Sequence, residues 1–258
     1  MYNVPMPTPV NHLVMAQEIR NDGRLTASAR RALEADWGAF LLGNAAPDVQ
    51  SVSHQPRRET HFYDIPPSAE TTAHRAFLAA HPALAEAPVL APDHAAFVAG
   101  YLAHLVADEA WWRQVFNPCF GVDADWGEWR ERIFLHNVLR THLDRVDQAR
   151  LNGSVVAALE QAEPHQWLPF VEDEVLVAWR DLIVAQLQPG EHVLTAEVFA
   201  ERMHVSPERV EEALDSPHQM ARIFEHASEV ELARYRSDVL RRSIELINRY
   251  YTSPNTPS

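Results

Sequence analysis

The stretch PDHAAFVAGYLAHLVADEAWWRQVF, residues 92–116, decides the fold class. It begins with a proline suited to the first position of a helix and then repeats apolar residues at helical spacing. The residues that set this period are Phe97, Tyr101, Leu105, Trp112 and Val115. A period near 3.6 residues over about seven turns predicts a long helix that packs on the core.

The rest of the chain follows the same pattern. Helical spacing recurs across 126–150, 171–187 and 230–251, and Thr8-Pro9 has the form of an N-cap followed by a first-turn proline. No clear strand alternation is present, and 18 prolines against eight glycines favour helices separated by rigid turns. We therefore predict an all-α fold. Residues 45–67 show no sustained period and are predicted to form a long loop, which is uncommon unless the loop carries function.

The composition excludes several chemistries. All 22 basic residues are arginine, so a P-loop, a kinase lysine and a Schiff-base lysine cannot be built. With 36 acidic residues the net charge is −14, which argues against general binding to nucleic acid or to anionic membranes. The single cysteine, Cys119, cannot form an intrachain disulfide and is expected to be a buried thiol.

The strongest local signal for chemistry is GYLAHLVADE, residues 100–109. His104 and Asp108 are four residues apart, so a helix places them on one face, among aromatic residues. Burying both is costly unless they pair with each other or bind a metal, and imidazole with carboxylate is a natural ligand set for zinc. An isolated pair of this kind is more often a buried hydrogen bond or an exposed pair.

Three further residues occur in contexts that would let them join this pair. His12 lies near the start of the first helix. Asp48 ends GNAAPD, residues 43–48, where a proline stiffens the approach to the carboxylate. His61 begins HFYD, residues 61–64, in which aromatic neighbours could bury the imidazole. With these three residues, the pattern favours a metal site over a lone hydrogen-bonded pair.

The order of these motifs resembles the zinc-dependent phospholipase C family, which is structurally related to the S1/P1-type nucleases. His12, then Gly43–Asp48, then His61-Phe62, then Gly100–Asp108 cover roughly the first half of the chain. Each piece alone is weak, but the order and spacing together are fairly specific. The resemblance implies a single multi-helix domain of the phospholipase C / P1 nuclease type with long functional loops.

The resemblance also implies a function. The family holds a cluster of zinc ions, here expected to number roughly one to three, and uses a metal-bound hydroxide as the nucleophile on a phosphoester. The expected ligands are His12, Asp48, His61, His104 and Asp108. The two aspartates are the candidates to bridge metals, and Asp48 is the expected catalytic residue. The substrate would be a small-molecule or lipid phosphoester.

Two departures from the family pattern bear on the second metal position. Members usually use a mature N-terminal amine as a ligand, whereas eleven residues precede His12 here. The family's later histidine motifs are also missing after Asp108. The residues that could replace them are Glu109, His136, Arg140 and Asp144. The last three share a helical face, so His136 and Asp144 could complete a metal site, or Arg140 could bind a phosphate oxygen directly.

Other interpretations remain open. A different all-α metal enzyme, such as an HD-type phosphohydrolase, requires a His-Asp dipeptide, but only the reversed Asp93-His94 occurs. A non-catalytic or structural metal-binding helical protein is the third possibility. Residues 195–214 have the sequence pattern of a helix-turn-helix. The glutamates of the second helix disfavour binding to DNA, so we predict a helical hairpin packed on the core.

The predicted organisation is a metal-binding all-α part over residues 1–188, C-terminal helices over 189–252 packed on the same domain, and a loose tail over 253–258. The N-terminus lacks the features of a secretory signal, and no apolar run is long enough to span a bilayer. We therefore expect a cytoplasmic protein without integral membrane association. The oligomeric state is left open.

Overall fold

The computed structural model describes residues 7–151, 153–188 and 194–252. Within these ranges the protein is helical and contains no β-strand, so the predicted all-α class is confirmed. The helices before residue 125 are α1 (Pro9–Asn21), α2 (Ala27–Ala35), α3 (Trp37–Ala45), α4 (Gln50–Ser53), α5 (Arg57–His61), α6 (Ala73–Ala80), α7 (Pro92–Trp111) and α8 (Asn117–Phe120). The later helices are α9 (Trp129–Gln148), α10 (Gly153–Glu160), α11 (Asp173–Gln186), α12 (Thr195–Met203), α13 (Pro207–Leu214), α14 (Pro217–His226) and α15 (Glu229–Thr252).

Two features of the predicted organisation lie outside the described residues. These are the boundary at residue 189 and the tail over 253–258. Among the described helices, none combines the length and the apolar content that crossing a bilayer requires.

The helix start predicted at Thr8-Pro9 has the expected capping chemistry. Thr8 is the N-cap of α1, its hydroxyl accepts a hydrogen bond from the backbone N–H of Asn11, and Pro9 occupies the first turn. Ser216 caps α14 in the same way through the backbone N–H of Gln219. The hairpin predicted over 195–214 is formed by α12 and α13, which contact each other and α9. Its turn places His204 in the left-handed region, at φ 55°.

Two segments differ from the predicted pattern. Residues 27–45, for which the helical prediction gave no break, form two helices separated at Asp36, whose φ of −116° and ψ of 45° are not helical. The segment predicted as a long loop folds instead into a 3-10 helix, Ala46–Val49, followed by α4 and α5. These helices are four or five residues long, too short to leave a readable period in the sequence.

Helices α3 and α7 cross in direct backbone contact at the centre of the molecule. A Cβ atom on Gly43 would lie 2.0 Å from the carbonyl oxygen of Phe97, and one on Gly100 would lie 2.2 Å from that of Phe40. Distances below 3.0 Å are essentially never seen for real Cβ atoms. The crossing therefore requires glycine at both positions.

The buried apolar residues form two clusters that meet along α7. The first cluster includes residues of α1, α2, α3, α10 and α11, and it uses α7 as far as Leu105. The second includes residues of α8, α9 and α12 to α14, and it uses α7 from Ala107 onward. His104 and Asp108 therefore lie where the two apolar clusters meet, and neither has any exposed surface.

We expect Gly43→Ala and Gly100→Ala each to lower the free energy of unfolding by about 1–3 kcal/mol or more, because the added methyl group must push two packed backbones apart. Urea denaturation with circular dichroism measures this change. Gly23→Ala is the matched control, since no atom lies within 4 Å of a Cβ at that position. Equal stability of all three variants would contradict the described crossing.

Candidate metal centre

The predicted pair on α7 is fully buried. His104 Nε2 lies 3.6 Å from Asp108 Oδ2, and both side chains have no exposed surface. His104 Nδ1 lies 2.7 Å from the backbone carbonyl oxygen of Asn44. A carbonyl only accepts hydrogen bonds, so Nδ1 donates to Asn44, and Nε2 is the nitrogen that faces Asp108.

The other three predicted ligands come to the same place. His12 Nε2 lies 3.3 Å from Asp108 Oδ1, and its ring stacks on that of His104 with centroids 3.8 Å apart. His61 Nε2 lies 3.3 Å from Asp108 Oδ2 and 3.5 Å from Asp48 Oδ1. The structure thus brings together all five residues of the first predicted ligand set, from segments spread over more than 90 residues of the sequence.

Local structure turns His61 toward this cluster. Its Nδ1 lies 2.9 Å from Thr60 Oγ1, and the Thr60 hydroxyl donates to the carbonyl oxygen of Arg57 at 3.1 Å. Thr60 Oγ1 therefore accepts from His61 Nδ1, and Nε2 is the nitrogen that faces Asp108 and Asp48. Helix α5 ends at Phe62 in the left-handed region, at φ 59°. The hydroxyl and the helix end together orient the imidazole.

Several buried polar atoms of the cluster have no hydrogen-bond partner. Neither ring nitrogen of His12 has one, and neither does Asp108 Oδ1, although His12 Nε2 lies close to that oxygen. An unsatisfied buried polar atom costs roughly 1–3 kcal/mol. Two triads could hold a divalent cation, His12 with His104 and Asp108, and Asp48 with His61 and His104. Imidazole nitrogens and carboxylate oxygens are the ligand types that zinc accepts, so the donor set fits that ion.

The electrostatics keep the carboxylates ionised. Burial alone would raise the pKa of Asp108, but His104, His12 and His61 hold it well below its ordinary value. Burial would likewise raise the pKa of Asp48, but His61 and His104 outweigh this effect and lower that pKa. Burial and the neighbouring His104 lower the pKa of His12. Ionised carboxylates and a neutral imidazole are the forms that bind metals.

Asp108 has a further partner, Arg57, which the sequence did not single out. Its Nη2 donates to Asp108 Oδ2 at 2.8 Å and to the hydroxyl of Tyr63 at 2.6 Å, and the guanidinium lies over the Tyr63 ring. Its Nη1 is buried without a partner. Only its position four residues before His61 could have drawn notice, because α5 is too short to show a period.

His136, predicted as a metal ligand, does not join the cluster. Its Nε2 accepts a hydrogen bond from the Trp111 indole N–H at 3.1 Å, and its ring packs against Phe116 and Phe120. Burial and the nearby Arg140 hold its pKa well below the ordinary value. His136 is therefore a neutral imidazole in the second apolar cluster, with its Nε2 lone pair already used.

Glu109 and Asp144 also have other partners. Glu109 accepts from the backbone N–H of Ala73, at the start of α6, and from Arg113 Nε, each at 3.0 Å. Asp144 accepts hydrogen bonds from the hydroxyls of Thr8 and Thr195, the latter at 2.5 Å. These two carboxylates join elements of the fold rather than completing a second metal site.

Arg140 lies beside the cluster in a different role. Its Nη1 donates to Asn137 Oδ1 at 3.1 Å, its guanidinium lies over the Phe199 ring at 4.1 Å, and its Nε is buried without a partner. Burial lowers its pKa to about 9, and the effect of Asp144 only partly opposes this change. Arg140 remains a cation at neutral pH and is available to an anion.

A cleft of about 350 Å³ adjoins the cluster. Its charged lining includes Asp48, Arg57 and Arg140, and its apolar walls come largely from α11 and α12. Asp48 is the member of the cluster that this cleft reaches, because its side chain is 16% exposed whereas those of the other four are at most 1% exposed. A volume of this size is typical of small-ligand sites.

Comparisons with protein-family models, with curated proteins and with solved structures give no match for this chain.

Asp144 predicts a specific pH dependence of stability. Burial raises its pKa to about 6, against 3.8 ordinarily, even though Thr195 and Thr8 donate to it. The folded protein therefore binds a proton on Asp144 more tightly than the unfolded chain does. Protonated Asp144 stabilises the fold fully below about pH 4, and this contribution is lost as the pH rises through 6. Over that range the free energy of unfolding of the wild type should fall by about 1–3 kcal/mol relative to Asp144→Asn.

Urea denaturation at intervals between pH 4 and pH 7, with chelator in every buffer, measures this difference. The exposed Asp123→Asn variant is the control and should follow the wild type. Parallel curves for the wild type and Asp144→Asn would refute the raised pKa.

Proposed function

We propose that this protein is a zinc-dependent hydrolase of phosphoesters. The observation that carries the proposal is the convergence of His12, Asp48, His61, His104 and Asp108 on one buried point beside a cleft that contains arginines. These are the residues that the resemblance to the zinc-dependent phospholipase C family implies as ligands. Their meeting supports the resemblance because the motifs are separated in sequence.

The two triads name the residues that would hold the metal. One consists of His12, His104 and Asp108, and the other of Asp48, His61 and His104. Asp108 contacts both sets, since Oδ1 lies near His12 and Oδ2 near His61. His104 has only one nitrogen free of the Asn44 carbonyl, so it would bind one ion, and a second ion would be held by Asp48, His61 and Asp108. Zinc bound there would supply Lewis acidity toward a water molecule and toward the phosphoryl oxygens.

The residues of the chain itself have separable roles. The carbonyl of Asn44 and the hydroxyl of Thr60 fix the tautomers of His104 and His61. Asp48, ionised and open to the cleft, is the carboxylate positioned to accept a proton from an attacking water.

Two guanidiniums in the cleft can bind the substrate. Arg57 and Arg140 both line it, and each has a buried nitrogen without a hydrogen-bond partner, Nη1 and Nε respectively. A guanidinium pairs well with phosphate oxygens because its donors are planar and permanently charged. The apolar walls would exclude water from the bound phosphoester and so strengthen these interactions.

A structural metal site is the second candidate. It is favoured by the complete burial of His61, His104 and Asp108 and by the ion pair that Arg57 makes with Asp108. A closed set of ligands without an open position is typical of structural zinc. The two candidates agree on metal binding and differ in turnover.

We expect tag-free protein purified with zinc to carry about two equivalents, measured by inductively coupled plasma mass spectrometry. Free zinc at 100 times its dissociation constant should stabilise the fold by about 2.7 kcal/mol. His104→Ala should reduce both the zinc content and the stabilisation, because it removes a ligand from whichever triad His104 completes. His165→Ala, at an exposed histidine, is the control, and His136→Gln should retain the wild-type stoichiometry. Metal-free protein under zinc-replete conditions would rule out the site.

Activity is tested with a panel of nitrophenyl phosphomonoesters and phosphodiesters. Chelator should abolish turnover, and Asp48→Asn should lower kcat by roughly 10²–10⁴ because it removes the proton-accepting carboxylate. Arg140→Gln should lower kcat/KM by roughly 10–100-fold through loss of a charged hydrogen bond to phosphate. Glu201→Gln, at an exposed residue of the same cleft, is the matched control.

The outcomes of this assay separate the candidates. Zinc-loaded protein without turnover on any substrate would favour the structural site. Turnover that persists in Asp48→Asn would show that the catalytic assignment is wrong.

A further inference from the structure

A second concavity lies on the other side of Arg140 from the cleft. It is a groove of about 1420 Å³ between α9 and the helices α12, α13 and α14. Arg140, Phe199 and Arg202 line both the groove and the cleft, so the two are adjacent. The proposed function gives the groove no role.

The dimensions of the groove suit a segment of protein better than a metabolite. Its volume exceeds the roughly 300–1,000 Å³ of small-molecule sites. Its lining follows one stripe of α9 from Arg130 through Ile133, Phe134 and Asn137 to Arg140. Ten residues of helix correspond to about 15 Å, so the groove can hold about three turns of a second helix.

The floor of the groove is apolar and only partly covered. Ile133, Phe134, Met203 and Val205 are half-buried and pack against the second apolar cluster. Partly exposed apolar residues at the bottom of a groove between helices are typical of surfaces that receive the apolar face of another helix.

The charge around this floor is opposite to that of the whole chain. Five arginines and three glutamates line the groove, whereas the chain carries −14. Glu131 neutralises Arg222 through an ion pair. The residues Arg130, Arg202 and Arg209 form no ion pair with other described residues, and the guanidinium of Arg209 lies over the Phe134 ring at 5.0 Å. The groove thus presents unneutralised positive charge at its rim.

We propose that this groove binds an amphipathic helix of a partner protein, with the apolar face of that helix on the floor and acidic residues against the arginines. Charge complementarity selects an acidic partner. The concave shape favours a helix over a bilayer, which is too flat to reach Ile133 and Phe134. The acidic charge of the chain as a whole also disfavours anionic membranes and nucleic acid.

The test uses the full chain and a displayed library of helical peptides with leucine at positions i, i+3, i+4 and i+7 and glutamate on the polar face. The same library with lysine in place of glutamate is the control. Selected peptides are labelled and measured by fluorescence anisotropy. Arg130→Glu combined with Arg209→Glu, both at exposed positions outside the cleft, should weaken binding at least tenfold.

The matched control is Arg31→Glu combined with Arg75→Glu, which changes the net charge equally at exposed positions that do not line the groove. This variant should bind within about twofold of the wild type, and thermal denaturation should show both variants folded. The proposal is overturned if no acidic peptide is selected, if the lysine library is selected equally, or if the groove variant binds as the wild type does. Groove-dependent binding of phosphatidylserine vesicles or of oligo-dT, without binding of acidic peptides, would overturn it as well.

Discussion

The backbone contact between α3 and α7 is the constraint on which the rest of the structure depends. Gly43 and Gly100 allow the two helices to touch, and this close approach lets the residues that follow them contact each other. Asn44 comes next after Gly43, and its carbonyl reaches the ring of His104, one turn beyond Gly100. The 3-10 helix that continues from α3 then carries Asp48 to His61. A wider crossing would separate these groups and leave each of them buried and unpaired.

Burying the polar and charged residues of the cluster costs more free energy than an apolar core in the same place would. Replacing buried ion pairs with well-packed apolar residues is often neutral or stabilising. Here a fully buried carboxylate, three imidazoles and a guanidinium lie between two apolar clusters, with several of their polar atoms unsatisfied. Residues that break the rules of core packing are expected at functional sites, where the cost is offset by the rest of the fold. The unsatisfied polar atoms therefore support a functional site, whether its role is catalysis or metal binding.

Much of the fold could be predicted from the sequence because helical periods and caps are local. The spacing in α7 and the Thr8-Pro9 start of α1 are properties of neighbouring residues, and both appear in the structure. The convergence of His12, Asp48, His61, His104 and Asp108 could be predicted only through the order of motifs. Arg57 could not be predicted, since its partner Asp108 is 51 residues away and α5 is too short for a period.

His136 shows why sharing a helical face is not the same as sharing a site. His136, Arg140 and Asp144 do lie four residues apart on α9, as predicted, but each turn of helix advances 5.4 Å. Successive turns therefore meet different neighbours. His136 meets Trp111, Arg140 meets Phe199, and Asp144 meets two threonine hydroxyls. Sequence periodicity gives the direction of a side chain, whereas its neighbour is decided by the packing of the helices.

The charge of −14 limits the approach of polyanions but does not decide what binds at short range. Exposed charges are screened over about 8–10 Å in physiological salt, whereas groups in a cleft act on a ligand that is already in contact. Arg57 and Arg140 line the cleft beside the ionised Asp48, and the other charged members of the cluster are sealed behind them. A small anionic group inside the cleft is therefore within reach of two guanidiniums, which offset the carboxylate of Asp48. Bulk charge consequently argues against long polyanions such as nucleic acid while leaving a single phosphoester acceptable.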